Sequence, residues 1–423
     1  MPSSNSIRAQ IGTLIIATSV IQLANGFFTT FLSLRLSKLD FGATLTGLVL
    51  SSFFAGSTLG ALRGGGIIER IGHIRAYAAF AGLVVAATAA MPILIGAFSW
   101  IVLRTIIGFG CAGVFVTTES WLSAKALPSE RGRVFSIYMV GAFLALAVGQ
   151  LLIARVQIGG YEPFNAIVAL FAVALIMVTT TRAEPPRVTV TETLPFMQLA
   201  RAAPVAVIGC VTKGMISGTF YALVPAWMHD KGIASERIAV SMLAAVIGGL
   251  AFQIPVGRLS DRFDRRIVLA GLALGCAFAA ITIGFLPHAL EFVLLPVALL
   301  GGFMATLYPV CVANAHDRMP ADRVVAVSGR LLLINGLGAV IGPVVGTNIM
   351  ARTSINGVFH FIAAAAVLLF LAAVGGTFIK AAPHRLRRTF RILAPEAASL
   401  AHDPVGSDDN VPAGSPWTPS PKS

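Results

Sequence analysis

The stretch Gly65-Gly66-Ile67-Ile68-Glu69-Arg70 returns 192 residues later as Gly257-Arg258-Leu259-Ser260-Asp261-Arg262. At the same offset Pro128-Ser129-Glu130-Arg131 returns as Pro320-Ala321-Asp322-Arg323, and Gly26, Gly56 and Gly110 meet Gly218, Gly248 and Gly302. Coincident glycines say little in a chain with 42 of them. Charge is scarce, however, and each charged cluster lies between long apolar runs. An internal duplication of roughly 190 residues per unit explains both clusters at once.

The chain is 56% hydrophobic and 12% charged, with a mean hydropathy of +0.84. Soluble domains carry about 25% charged residues, so this composition is that of a membrane protein. Cys111, Cys210, Cys276 and Cys311 all fall inside apolar runs and none forms a CxxC pair. Neither a metal site nor a disulfide framework is expected, and helix packing is their default work. The first apolar run, from about Ile11 to Leu34, is too long for a cleaved signal and lacks a cleavage site, so it reads as a retained first span.

A helix crossing the hydrocarbon core needs about 20 apolar residues. Twelve runs qualify, centred near residues 22, 53, 86, 110, 145, 171, 216, 246, 276, 301, 337 and 367. The expected organisation is a first six-helix half over 1–181, a linker over 182–203, a second half over 204–380, and a basic then disordered tail over 381–423. Pro225, Pro255, Pro296, Pro309 and Pro343 fall in or near second-half helices, where neighbouring helices re-satisfy the freed carbonyls. Trp100, Trp121 and Trp227 fall near helix ends and are expected as interfacial anchors.

The net charge of +13 could suggest nucleic acid, but its distribution argues for topology instead. Arg63, Arg70, Arg75, Arg131, Arg258 and Arg262 fall in the even-numbered loops with the basic tail, whereas the odd-numbered loops hold few cations. The bias places both termini in the cytoplasm. The basic stretch at Arg385, Arg387, Arg388 and Arg391 is expected to touch anionic lipid headgroups.

Twelve helices in two parallel halves, with a charged loop after the second helix of each, resemble the major facilitator superfamily. Gly65 through Arg75 resembles that family's G-x-x-x-D-x-x-G-R loop, with Glu69 for aspartate and His73 for arginine. The second copy keeps Asp261 but has Asp264 where the second glycine stands. Arg104-Thr105-Ile106-Ile107-Gly108-Phe109-Gly110-Cys111-Ala112 matches the helix-4 motif R-x-x-x-G-x-G-x-A in full. Glu119-Ser120-Trp121, Glu130-Arg131-Gly132-Arg133 and Thr306-Leu307-Tyr308-Pro309-Val310 resemble the YcaD-like branch. The resemblance implies an all-α membrane fold of twelve transmembrane helices in two six-helix repeats. Helices 1, 4, 7 and 10 would then line a central cavity. The antiporter string G-x-x-x-G-P-x-x-G, which the family carries in helix 5, stands here in helix 11 as Gly338 to Gly346, so no export assignment follows from it.

Three ionisable residues fall deep inside the runs: Arg104 and Glu119 in helix 4, and Lys213 in helix 7. Each costs roughly 2.5–3.5 kcal/mol at mid-bilayer, so each needs a partner or a wet cavity. Fifteen residues of helix separate Arg104 from Glu119, a rise of roughly 22 Å, too far for direct pairing. Glu119 is a candidate proton carrier, because desolvation raises a carboxyl pKa and alternating wet and dry surroundings would move the proton; a structural glutamate is the other reading. Lys213 either pairs with Glu119 across the halves or attracts an anionic solute group. Arg104 either bonds neighbouring helices or serves the site. Gln22 and Asn25 share a face of helix 1, and with Tyr308 and Asn314 of helix 10 they could bond solute or neighbouring helices. Gly65, Glu69 and Arg70, with Gly257, Asp261, Arg262 and Arg265, are the candidate cytoplasmic gate. There Glu69 or Asp261 would sit at a helix N-terminus and meet arginines of the other half. His73, His229, His288 and His316 are expected at headgroup level with no role in the site.

The expected function is secondary active transport of a small solute by alternating access, coupled to protons through Glu119. An uncoupled facilitator is the alternative, and a non-transporting sensor or lipid-handling protein a third. No nucleotide-binding motif and no cluster of nucleophile, base or metal ligands is present, so neither an enzyme nor a cofactor is expected. Solute, protons and lipid are the expected partners, nucleic acid is not, and a monomer in the inner (plasma) membrane is the expected form.

Overall fold

The computed structural model describes residues 4–39, 41–126, 130–180, 195–286, 290–320 and 323–378. Its first six long helices are α1 (Ser4–Ser37), α2 (Ala43–Ile71), α3 (His73–Ala90), α4 (Ala97–Lys125), α5 (Arg131–Leu151) and α6 (Glu162–Thr179). The next six are α7 (Pro204–Asp230), α8 (Ser235–Arg262), α9 (Arg265–Phe285), α10 (Leu290–His316), α11 (Val324–Arg352) and α12 (Gly357–Phe378). All twelve are long and apolar enough to cross a membrane, and each contains the centre expected from its apolar run. The chain is therefore a multi-pass all-α membrane protein. A short helix, Phe196–Ala202, stands at the end of the expected linker. Residues 182–194 of that linker, the tail over 381–423, His288, and Pro128, Ser129, Ala321 and Asp322 of the repeated clusters lie outside the described residues.

The repeat is visible in packing. In the first six helices α2 packs on α4, α1 on α5 and α6, and α3 on α4 and α6. The second six repeat this, with α8 on α10, α7 on α11 and α12, and α9 on α10 and α12. Glycine makes these seams possible. A Cβ on Gly56 would overlap the Thr105 carbonyl, and one on Gly108 that of Phe53; in the other half Gly248 and Gly301 meet Ala298 and Ala245 in the same way. Without a hydrophobic drive between helices in lipid, such close backbone approach supplies the packing energy. Gly338, Gly342 and Gly346 of the antiporter-like string all pack against α7, so here the string forms the α7–α11 seam. Pro225, Pro255, Pro296, Pro309 and Pro343 all lie inside continuous helices.

The two copies of the charged loop turn differently. Gly72 breaks α2 from α3 with φ 81°, a left-handed conformation that favours glycine. In the second copy Phe263 is extended and Asp264 caps α9, accepting from the Arg266 backbone N–H at 2.8 Å. The cap replaces the missing glycine. Because each break is so short, Glu69 and Asp261 lie in the last turns of α2 and α8, not at the helix N-termini expected for them.

The tryptophans are not interfacial anchors either. Trp100, Trp121 and Trp227 are fully buried. Trp100 donates to the Met91 carbonyl and Trp227 to Asn356 Oδ1, both at 3.0 Å, so these helix ends turn inward onto loops instead of outward to headgroups. His73 is likewise buried, with Nε2 3.0 Å from Ser120 Oγ, and His316 Nε2 lies 2.9 Å from Ser328 Oγ. Both tie neighbouring helices within one half.

Candidate functional site

A cavity of about 210 Å³ lies between the two sets of six helices. Equivalent positions of the duplication face each other across it. Asn25 and Ser217, Thr29 and Tyr221, Ala112 and Met304, and Phe143 and Asn335 all line it, each pair 192 residues apart. The repeat thus builds one wall twice, and divergence gives the two sides different chemistry.

Of the residues expected at the site, Gln22, Asn25 and Lys213 line the cavity. Gln22 Oε1 and Asn25 Oδ1 are buried without a hydrogen-bond partner among the described residues, and so is Asn335 Oδ1 on α11. An acceptor left in that state costs about 1–3 kcal/mol, so these oxygens call for donors from water or solute. Gln150 contrasts with them. It accepts from Thr30 Oγ1 at 2.6 Å and donates to the Gly26 carbonyl at 3.2 Å, which fixes α5 to α1. Lys213 is 7% exposed, with Nζ 5.9 Å from the centroid of the Tyr308 ring.

The other candidates stand off the wall. Tyr308 is fully buried beneath Lys213, and Asn314 is buried in the last turn of α10. Arg104 is 1% exposed, its guanidinium 4.9 Å from the Phe28 ring centre and 4.6 Å from that of Phe53. Its Nε and Nη1 have no hydrogen-bond partner among the described residues. Stacking of this kind is worth about 2 kcal/mol or more where water is excluded. Phe53 lines the cavity, so Arg104 lies one ring's thickness behind the wall. Glu119 is fully buried, and its Oε1 accepts from the Tyr138 hydroxyl of α5 at 3.3 Å, a bond within its own half.

The halves are fastened on the side away from the chain termini. Ser33 Oγ donates to the Ala222 carbonyl at 2.5 Å and accepts from the Ala226 N–H at 3.2 Å, joining α1 to α7. Thr44 Oγ1 donates to Asn348 Oδ1 at 3.2 Å, joining α2 to α11. Gly47 packs against Thr347 and the Pro343 carbonyl, and deeper along the same pair of helices Gly336 packs against Thr58. On the side of the termini, a Cβ on Gly65 would find nothing within 4 Å.

The residues expected at a gate differ in exposure. Glu69, Arg70 and Arg262 are exposed, Asp261 is half-buried and Gly257 is buried. Arg265 is buried, with Nε 2.9 Å from Asp317 Oδ2, so this ion pair joins α9 to the segment just after α10 inside the second half. Beside it, Arg266 pairs with Asp264 at 3.0 Å and donates to the Gly376 carbonyl. Burial alone would raise the Asp264 carboxyl pKa, but the bonds from Arg266, with Arg318 nearby, outweigh it and hold the group below its ordinary value.

Sequence reasoning missed Asn335, Ser217 and Tyr221. A signal was available for the last two, since the duplication maps Asn25 and Thr29 onto them. For Asn335 the duplication offered none, because its counterpart is Phe143; its one signal was a polar side chain inside the apolar run centred near 337.

The chain is 28% identical over 355 residues to the uncharacterised MFS-type transporter YcaD of Escherichia fergusonii, spanning 83% of this chain and 92% of that protein. Among solved structures it is similar to a bacterial homologue of the human lysosomal transporter Spinster, in an inward-facing and unoccupied conformation. The TM-score is 0.76 at 15% identity, covering 90% of this chain and 100% of that one. It is also similar to a variant of the nucleoside transporter NupG, with a TM-score of 0.74 at 13% identity, covering 86% and 99%. The Major Facilitator Superfamily profile matches residues 14–249 and 205–405. With the profile, the relative, the twelve spans and the cavity between matching halves in agreement, the chain belongs to the Major Facilitator Superfamily and is a transporter rather than an enzyme.

Proposed function

We propose that the protein moves a small solute across the inner membrane by alternating access, with both termini cytoplasmic. The observation that carries this is the cavity itself. It is walled by equivalent positions of two repeats, and the halves are fastened on the side away from the termini by Ser33, Thr44 and Gly47. Such a seam is small enough to part. Few hydrogen bonds hold it, and the glycine contacts are sharp in distance, so a modest rocking of one half removes them. The conformation is then the one that opens towards the termini, and the gate residues Glu69, Arg70, Asp261 and Arg262 close that side in the opposite state.

In this reading Glu119 couples the movement to protons. The carboxyl is fully buried, and one side of it has a hydroxyl partner in Tyr138 that serves either protonation state. A second reading, an uncoupled facilitator, draws on the same bond: Glu119 is off the cavity wall, where a purely structural glutamate would be. Flux in proteoliposomes with and without an imposed pH gradient tests both. Accumulation that follows the gradient supports coupling, equal flux under both conditions supports the facilitator, and absence of flux for any bound solute removes the transport reading.

A further inference from the structure

Resting on the reading of the cavity as the solute site, we propose that its solute is a small organic monoanion. It would be a carboxylate that also carries hydroxyl or amide N–H donors beside an aromatic or aliphatic portion. Lys213 is the single charged side chain among the described residues of the wall, and no aspartate or glutamate contributes to it. Glu119, the carboxylate on α4, is fully buried and does not line the cavity. A second cation stands behind the wall, since the Arg104 guanidinium is 4.6 Å from the centre of the Phe53 ring. An aromatic ring and lipid-surrounded helices screen charge poorly, so Lys213, Arg104 and the buried Glu119 all contribute to the potential inside the cavity, two positive charges against one negative. That potential favours an anion and disfavours an amine.

The oxygens narrow the class. Gln22 Oε1, Asn25 Oδ1 and Asn335 Oδ1 are buried acceptors without partners among the described residues. An anion that only accepts hydrogen bonds would leave all three dry, whereas one carrying O–H or N–H groups satisfies them while its carboxylate faces Lys213. Most of the remaining surface is apolar, with Phe54, Phe143 and Leu332 among its residues. Size points to a small solute. The cavity measures about 210 Å³. It falls below the about 300–1,000 Å³ of drug-sized pockets.

The test uses the full chain in lipid nanodiscs with Ser217→Cys as a reporter at the wall, the four native cysteines being buried. Maleimide labelling is followed with mandelate, 4-hydroxybenzoate and N-acetylglycinate, with the matched amide of each, and with 2-amino-1-phenylethanol. Thermal midpoints are measured in parallel. The carboxylates are expected to slow labelling and raise the midpoint, with the amides weaker and the amine inactive. Lys213→Gln should raise the half-protecting concentration at least tenfold and Lys213→Arg should keep most of the protection. Asn25→Asp, near-isosteric but anionic, should abolish carboxylate protection even if Lys213→Gln fails to fold. Protection by the amine, equal protection by the amides, or no protection by any probe overturns the proposed class. Protection by another class leaves the cavity as the site and removes only the anion. A raised midpoint without protection of Ser217→Cys removes the cavity reading itself.

Discussion

Arg265 Nε lies 2.9 Å from Asp317 Oδ2, joining the start of α9 to the segment just after α10 within one half of the molecule. The position 192 residues earlier is His73, which meets Ser120 near the end of α4. The two copies of the repeat thus brace the same helix junction by different chemistry. The brace is structural in each half, and the parts that move must be sought elsewhere in the loop.

Breaking the Arg265–Asp317 pair should destabilise the second half without altering solute preference. Arg265 is buried and Asp317 is 21% exposed. Asp317→Asn is therefore expected at the lower end of the about 3–5 kcal/mol for stranding one buried partner. Arg265→Met together with Asp317→Leu should recover most of it. Thermal midpoints in detergent measure this. An unchanged midpoint in Asp317→Asn would show the pair to be idle.

The Asp264 cap has a pH signature. Its carboxyl pKa is depressed in the folded protein relative to the ordinary 3.8, so its contribution is present above that value and lost as the pH falls through the folded value. Asp264→Ala should cost about 1 kcal/mol at neutral pH, with the difference from wild type vanishing in acid. A difference that persists at the lowest pH would point to packing instead.

Glycine at 47 and 336 should permit closure of the side away from the termini. Gly47→Leu or Gly336→Leu places a side chain where Thr347 or Thr58 now stands. Each should therefore hold the α2–α11 seam apart. Ser33→Cys, buried in the closed seam, should then label several-fold faster from that side. Labelling at the wild-type rate would show that the helices separate along another line.

The loop carboxylates should act in the opposite state. Glu69→Gln or Asp261→Asn is expected to leave the protein inserted and folded while reducing flux and shifting cavity cysteines towards accessibility from the side of the termini. Normal flux with unchanged accessibility would reduce them to ordinary helix-end charges. Reporter fusions settle which side that is. Those near residues 70, 130, 262 and 322 should report cytoplasm and those near 158 and 232 the opposite side.

Glu119→Gln separates the two roles of that residue. If it carries the coupling proton, the variant should bind and exchange solute but lose accumulation driven by a pH gradient. If it is structural and balanced by Lys213, the variant should be unstable, and Lys213→Met in addition should restore it. A stable variant with full gradient-driven accumulation would exclude both.

The sequence by itself determined the number of spans, the duplication and the family, because these rest on apolar length and on the spacing of scarce charges, which no tertiary contact can alter. It also identified Gln22, Asn25 and Lys213 as worth attention, since a polar group inside a 20-residue apolar run needs a reason wherever it points. Which of those groups share a space was decided only in three dimensions. Asn314 and Glu119 are as polar as Asn25, yet they are off the wall. Asn335 joins the site because α11 crosses between the halves, and nothing in its neighbours announces that. The charged loop shows the same division. Its spacing marks a boundary after the second helix of each half, but whether a given arginine reaches the other half or folds back on its own, as Arg265 does, depends on how the helix ends turn. The physical reason is range. Hydrophobic length and local charge act along the chain, whereas pairing in a low-dielectric interior depends on ångström-level distances between segments far apart in sequence.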